Sequence, residues 1–263
     1  MQALAELLTP DLALLWALVL LASWLQTLTG FAFGLILMGG VGMLGLIPLP
    51  QAAIISGILT IANGLYMLSR EWRAVDRPSL GLFMAGSLPG LLAGYVLLLW
   101  LAGGAITVLQ FLLGLIIIGA SVQMMMRPRA LVRRSPAAAF LATGFVGGVM
   151  GGMFSTAGPP VIWQMYRQPG PLQAVRATLL AVFTLNGLVR LALVLGSTGI
   201  PLRTLTATAG ALPLVMLGTF LARRYPPPLS PDAMRRLAFG LLFLSGLALF
   251  VPALLTLSKD VLP

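Results

Sequence analysis

The chain has 263 residues, of which 59% are hydrophobic and only 8% are charged, and its mean hydropathy is +1.02. Because about a quarter of the residues in a soluble domain are charged, this composition excludes an ordinary soluble protein and places the chain in a lipid bilayer. The net charge of +10 would suit a nucleic-acid-binding protein, but the basic residues lie at the ends of apolar runs. We therefore interpret them as anchors at the membrane surface.

Nine apolar runs follow one another along the chain, with no polar block large enough for a separate soluble domain. They cover residues 12–25, 31–49, 52–68, 80–102, 106–126, 137–153, 179–195, 205–222 and 237–257. A membrane-spanning helix needs about 20 predominantly apolar residues. The runs predict an all-α, polytopic integral membrane protein with a single membrane domain of roughly 8–10 membrane segments.

Three clusters of arginine give the predicted orientation, because basic residues are enriched in cytoplasmic loops. The clusters are Arg70, Arg73 and Arg77; Arg127, Arg129, Arg133 and Arg134; and Arg223, Arg224, Arg235 and Arg236. Two full spans, 79–100 and 105–126, separate the first two clusters. Two more full spans, 172–195 and 203–222, lie between the second and third clusters. These two spans already return the chain to the cytoplasmic side. The segment 137–170, which also lies between these clusters, is therefore expected to cross the membrane an even number of times.

This segment contains a glycine-rich stretch, GGVMGGMFSTAGPPVIW, at residues 147–163. Glycine costs about 1 kcal/mol and proline about 3 kcal/mol relative to alanine in a helix interior. We therefore expect two half-helices that meet here, 137–152 and 158–168, each too short for a comfortable crossing, as a re-entrant hairpin or a pair of short spans. Broken backbone at membrane depth must be buried in protein or line a cavity, so we interpret the stretch as a cavity wall. For the glycines, tight packing of helices through small residues is the alternative.

An N-terminal stretch, QTLTGFAFG at residues 26–34, resembles this break, and a similar helix follows each of them. Asn63 begins the tripeptide Asn-Gly-Leu in the first of these helices, and Asn186 begins the same tripeptide 123 residues later. Residues 1–129 and 130–263 are therefore predicted to form two pseudo-symmetric repeats, each with a broken pair and three full spans. An odd number of full spans inverts one half relative to the other and puts both termini in the periplasm. Secondary transporters of this plan bind substrate between their broken helices.

The residues that usually carry catalysis and metal binding are scarce. The chain has no histidine or cysteine, and no acidic residue lies between Asp76 and Asp232. The other acidic residues are expected near the ends of spans, at Glu6, Asp11, Glu71 and Asp260. We therefore predict no catalytic residue, no metal site and no cofactor, and a carboxylate-based proton relay in the core is disfavoured. A transporter is favoured over an enzyme or a non-transporting scaffold.

Two arginines lie on the helix that follows the second break. Arg176 and Arg190 are fourteen residues apart, which places them on one face of a helix, and no carboxylate nearby in the sequence can pair with them. One interpretation is that both side chains extend to the membrane interfaces. The other is that at least one lines a cavity and neutralises an anionic cargo, because a guanidinium binds the oxygens of carboxylate, sulfite or sulfonate in pairs.

Polar and small residues at the breaks are predicted to complete the substrate site. The N-terminus of a half-helix offers free N–H groups to an anion, with Ser155 or Thr156 as the expected cap, Gly158 allowing close approach and Pro159 in the first turn. For the two asparagines, a hydrogen bond between helices is the alternative to substrate binding. The predicted substrate-binding residues are Gln26, Thr27, Thr29, Gly30, Asn63, Ser155, Thr156, Gly158, Pro159, Arg176, Asn186 and Arg190.

Three stretches carry a resemblance to a known family. They are LQTLTGFAFGLILMGGVGMLGLIP in the first half, and GFVGGVMGGMFSTAGPPVIWQMY and VRATLLAVFTLNGLVR in the second. They resemble the sulfite exporter TauE/SafE family of membrane transporters, and the resemblance covers essentially the whole chain. The family's pattern is matched at Gly158, Pro159, Pro160 and Arg176.

The resemblance implies a permease of the bacterial inner membrane that moves sulfite, an organosulfonate or a related small anion, commonly as an exporter. Alternating access around the two breaks is the expected mechanism. The expected partners are the small anion and the lipid bilayer, without nucleic acid, and assembly as a homodimer is left open. An uptake permease for another small anion or for a neutral solute is the alternative function.

Overall fold

The computed structural model describes residues 10–29, 33–126, 131–156, 158–225 and 231–261. Within these ranges the chain forms ten α-helices, one 3-10 turn at Trp72–Ala74 and no β-strand. The helices of the first half are α1 (Pro10–Thr29), α2 (Phe33–Leu44), α3 (Leu49–Glu71), α4 (Arg77–Ala102) and α5 (Ile106–Met125). Those of the second half are α6 (Ala137–Phe154), α7 (Gly158–Tyr166), α8 (Leu172–Gly196), α9 (Leu202–Arg224) and α10 (Pro231–Val261).

Eight of these helices are long and apolar enough to cross a membrane, and the two exceptions are α2 and α7. The two short helices have 12 and 9 residues, which is well below the roughly 20 residues of a full span. Many large apolar side chains of the long helices are exposed, as expected of surfaces that face lipid. The predicted all-α, polytopic membrane protein is therefore confirmed.

The second break lies after the glycine-rich run and not within it. Helix α6 continues through Gly147, Gly148, Gly151 and Gly152, and it is long enough to span by itself. The break between α6 and α7 thus lies where the two half-helices are expected to meet, between residues 152 and 158, and only the expectation that the first of them is too short to cross the membrane is wrong. The chain turns at Ser155, whose φ of 54° and ψ of 27° are left-handed.

The glycines stay helical because they allow α6 to cross α4 at backbone contact. A Cβ atom built on any of six glycines, spaced four residues apart on each helix, would overlap backbone atoms of the facing helix. They are Gly86, Gly90 and Gly94 in α4, and Gly144, Gly148 and Gly152 in α6. Small residues at this spacing let membrane helices approach closely. The packing interpretation of the glycines is therefore correct for Gly148 and Gly152.

The helices of the two halves pair in a reciprocal pattern. The first helix of each half packs on the fourth helix of the other, as α1 on α9 and α6 on α4, while α3 packs on α8 and α5 on α10. The fourth helices share a further feature, since Pro89 lies inside α4 and Pro213 inside α9. Two like units related by a two-fold axis would produce this pattern. The inverted relation of the halves stays a prediction, and the predicted boundary at residues 129 and 130 lies outside the described residues.

Candidate functional site

A cavity of about 460 Å³ lies between the two halves, beside both short helices. Nine of the twelve predicted substrate-binding residues line it: Gln26, Thr27, Asn63, Ser155, Thr156, Gly158, Arg176, Asn186 and Arg190. Pro159 is buried in the first turn of α7 and is not part of the lining. Gly30 lies outside the described residues, and the side chain of Thr29 is not among those that the structure describes.

Arg190 is buried inside the protein and is held by carbonyl groups from both halves. Its side chain is 3% exposed. Nε donates to the carbonyl of Gly152 at 2.9 Å, and Nη1 donates to that of Ala53 at 3.3 Å. The guanidinium also lies over the ring of Tyr95, 5.9 Å from its centroid. The side chain is therefore surrounded by protein instead of extending to a membrane interface.

One of the two carbonyls that hold Arg190, that of Gly152, is free for a structural reason. The last four carbonyl groups of a helix have no partner within the helix, and Gly152 lies in the last turn of α6. Ala53 lies in α3, where its carbonyl also accepts a hydrogen bond from the Ser155 hydroxyl at 2.6 Å. Arg190 thus joins the end of α6 to α3 at the turn between α6 and α7.

Arg176 lies near the start of α8 and marks the opposite end of the cavity from Arg190. Fourteen residues of helix separate the two arginines by about 21 Å. Arg176 lines the cavity but is exposed, and it forms no ion pair within the described residues. The two arginines therefore belong to different parts of the cavity, one at its mouth and one at its buried end.

Asn186 lies one turn before Arg190 on α8 and also contacts α4. Its Oδ1 accepts a hydrogen bond from the hydroxyl of Ser87 at 2.9 Å, and both side chains are buried. This is the interhelical hydrogen bond that was the alternative interpretation, yet Asn186 lines the cavity as well. Asn63, its counterpart in the first half, lines the same cavity from α3.

Comparison with known proteins identifies the family of this chain. The model of the family described as "Sulfite exporter TauE/SafE" matches residues 15–249 of the chain. The protein belongs to the sulfite exporter TauE/SafE family. The predicted resemblance is thereby confirmed, and because the family consists of membrane transporters, the protein is a transporter and not an enzyme.

Two relatives have names that bear on transport. The chain is 37% identical over 250 residues to the probable sulfite/organosulfonate exporter TauE of Cupriavidus necator, covering 95% of this chain and 97% of that protein. It is 31% identical over 189 residues to the probable inner membrane transporter protein TsaS of Comamonas testosteroni, covering 71% and 75% of the two chains. No solved structure matches it.

In this TauE/SafE protein, Ser155 ends α6 and does not begin α7. Its N–H group donates to the carbonyl of Gly151, and its side chain, as noted, bonds α3. The expected role of Ser155 as the cap of the second half-helix is therefore wrong. Thr156 is buried beside it, and residue 157, which directly precedes α7, lies outside the described residues.

Sequence reasoning missed one acidic residue of the cavity. Glu71, the last residue of α3, lines the cavity on the same side as Arg176. Glu71 does lie at the end of a span, as predicted, and its place in the cavity lining is the part that the sequence did not indicate. Within the described lining, the charged residues are therefore two arginines and one glutamate.

Proposed function

We propose that this protein exports a small anion, such as sulfite or an organosulfonate, across the bacterial inner membrane. Membership of the TauE/SafE family and the names of the two relatives support this proposal. The observation that carries it is the burial of Arg190 beside the cavity with no carboxylate partner among the described residues. Burying a charge without a partner costs several kcal/mol, and an anionic cargo would supply the missing charge.

The direction in which the cavity opens also supports export. Arg134 of the second arginine cluster pairs with Asp76, which lies beside the first cluster, at 3.0 Å. The N–H group of Asp76 in turn donates to Oγ1 of Thr178, two residues after Arg176, at 2.9 Å. The cavity mouth thus lies at the arginine-rich end of the molecule, which we assign to the cytoplasm. A cavity open on that side is placed to take up cargo for export.

The membrane potential would drive this export without another ion. An inside-negative potential favours outward movement of an anion by about 2.3 kcal/mol per charge per 100 mV. Alternating access would require the halves to close at the arginine-rich end and to open at the other end. Assembly as a homodimer stays a prediction.

Replacement of Arg176 by glutamine tests the role of the cavity mouth. Because Arg176 is exposed, its attraction for an anion acts through solvent and is screened by salt within about 10 Å at 0.1 M. We expect Arg176→Gln to slow efflux of labelled methanesulfonate from proteoliposomes by about tenfold at low ionic strength, and by less at high ionic strength.

The matched control is Arg203→Gln, which removes an exposed arginine outside the cavity lining and should leave the efflux rate unchanged. Equal efflux in wild type and Arg176→Gln at low salt would exclude the proposed role of Arg176. If the wild-type protein transports a neutral solute and no anion, the alternative function is favoured instead.

A further inference from the structure

The buried end of the cavity contains two N–H donors that have no partner among the described residues. Nδ2 of Asn186 and Nη2 of Arg190 are both buried and form no hydrogen bond with any residue that the structure describes. The residues lie one helical turn apart on the same face of α8, where side chains at this spacing are neighbours, and both residues line the cavity. A buried donor without an acceptor costs about 1–3 kcal/mol and more when charged, so the two donors favour binding of an acceptor that the described part of the chain does not supply.

Each donor is directed by a contact elsewhere on the same side chain. Ser87 donates its hydroxyl to Oδ1 of Asn186, at 2.9 Å, which leaves the amide group to act as a donor. Nε and Nη1 of Arg190 donate to the carbonyls of Gly152 and Ala53, which leaves Nη2 free. Both anchoring contacts join α8 to other helices, so the donor pair is held in place before any ligand arrives.

We propose that Asn186 Nδ2 and Arg190 Nη2 together bind one oxyanion head group of single charge, and that Ser87 is the positioning residue of this site. The inference rests on the proposed anion transport and assigns the cargo site within it. A sulfonate or hydrogen-sulfite head offers at least two oxygens that can accept from these two donors. Ser87 does not line the cavity, and it acts by fixing the amide of Asn186.

The preference for a single charge follows from the charges around the cavity. Arg190 is the charged residue of the lining at the buried end, while Arg176 and Glu71 lie at the mouth and carry opposite charges. A monoanion bound to Arg190 is therefore neutralised. A dianion of similar size, such as sulfate, would bring a second negative charge to the buried end, where the described lining has no second cation to balance it.

Binding of two tetrahedral probes to the purified protein tests the proposal. We expect the full-length protein to bind methanesulfonate at least about tenfold more tightly than sulfate by isothermal titration calorimetry. Loss of one hydrogen bond to a charged ligand corresponds to about 10- to 100-fold in affinity. We therefore expect Asn186→Leu, which has a similar shape but no amide, to weaken methanesulfonate binding by that factor.

Ser87→Ala tests whether Ser87 orients the amide of Asn186, because it leaves both anion-binding side chains in place. Without the hydroxyl, the amide of Asn186 can turn its oxygen toward the anion, so we expect methanesulfonate affinity to fall about tenfold and the preference over sulfate to shrink. Ser121→Ala is the matched control, because Ser121 is also fully buried but bonds its own helix, at the carbonyl of Ile117, away from the cavity. The control should keep wild-type affinity and preference.

Each outcome has a separate meaning. If Ser87→Ala lowers the thermal midpoint of the ligand-free protein but keeps wild-type affinity and preference, Ser87 has a structural role and the positioning proposal is wrong. Wild-type protein that binds sulfate as tightly as methanesulfonate would overturn the single-charge site while leaving anion transport intact. Wild-type protein that binds and transports neither anion would overturn the proposed function itself.

Discussion

Arg190→Gln is expected to reduce methanesulfonate efflux from proteoliposomes by about two orders of magnitude. The substitution removes the buried charge that we assign to cargo binding and keeps a side chain that can still donate to one of the carbonyls of Gly152 and Ala53. We expect a smaller loss for Arg190→Lys, which keeps the charge but cannot reproduce the forked geometry of a guanidinium. Tracer efflux at equal protein content measures both.

Folding must be separated from transport in this comparison. Size-exclusion profiles and helix content by circular dichroism should match wild type for both Arg190 variants. Arg203→Gln serves again as the control for loss of one arginine. If correctly folded Arg190→Gln transports methanesulfonate at the wild-type rate, Arg190 does not bind the cargo.

Gly148→Val is expected to lower the stability of the fold by about 3 kcal/mol, at the upper end of the usual cost of overpacking. Any Cβ at this position would overlap the carbonyl and Cα of Ser87. Backbone cannot move aside as a flexible side chain can, so α4 and α6 would have to separate along their crossing. We expect a large fall in the thermal midpoint and a loss of monodisperse protein in detergent.

Gly119→Val provides the matched control for this substitution. Gly119 is also a helical glycine, in α5, but a Cβ built there meets nothing within 4 Å. The same change of residue should therefore leave the thermal midpoint close to wild type. Equal midpoints in the two variants would mean that the α4–α6 crossing does not need glycine at residue 148.

The parts of the fold that depend on local pattern could be predicted from the sequence. Apolar runs indicated the class of the fold and the approximate number of its spans, because hydropathy is a property of each segment alone. Polar residues within apolar runs indicated the site, and Asn63, Asn186 and Arg190 do line one cavity. This succeeded because polar groups in membrane helices usually face protein or water instead of lipid.

The parts that depend on pairing between distant residues could not be predicted. The glycines of α6 were assigned to a break because their partners on α4, about 60 residues earlier, are not adjacent in sequence. Ser87 was missed for the same reason, since it is 99 residues from Asn186. Glu71 was missed because a polar residue at the end of a span gives no indication of whether it faces a loop or a cavity.

We infer that this TauE/SafE protein moves a net negative charge with its cargo. Current recorded from proteoliposomes on a solid-supported membrane, after a jump in methanesulfonate concentration, tests it most directly. We expect the wild-type protein to give a transient current whose sign corresponds to anion movement down the gradient, and Arg190→Gln to give almost none. Cargo flux without current, or equal currents in both proteins, would contradict the claim.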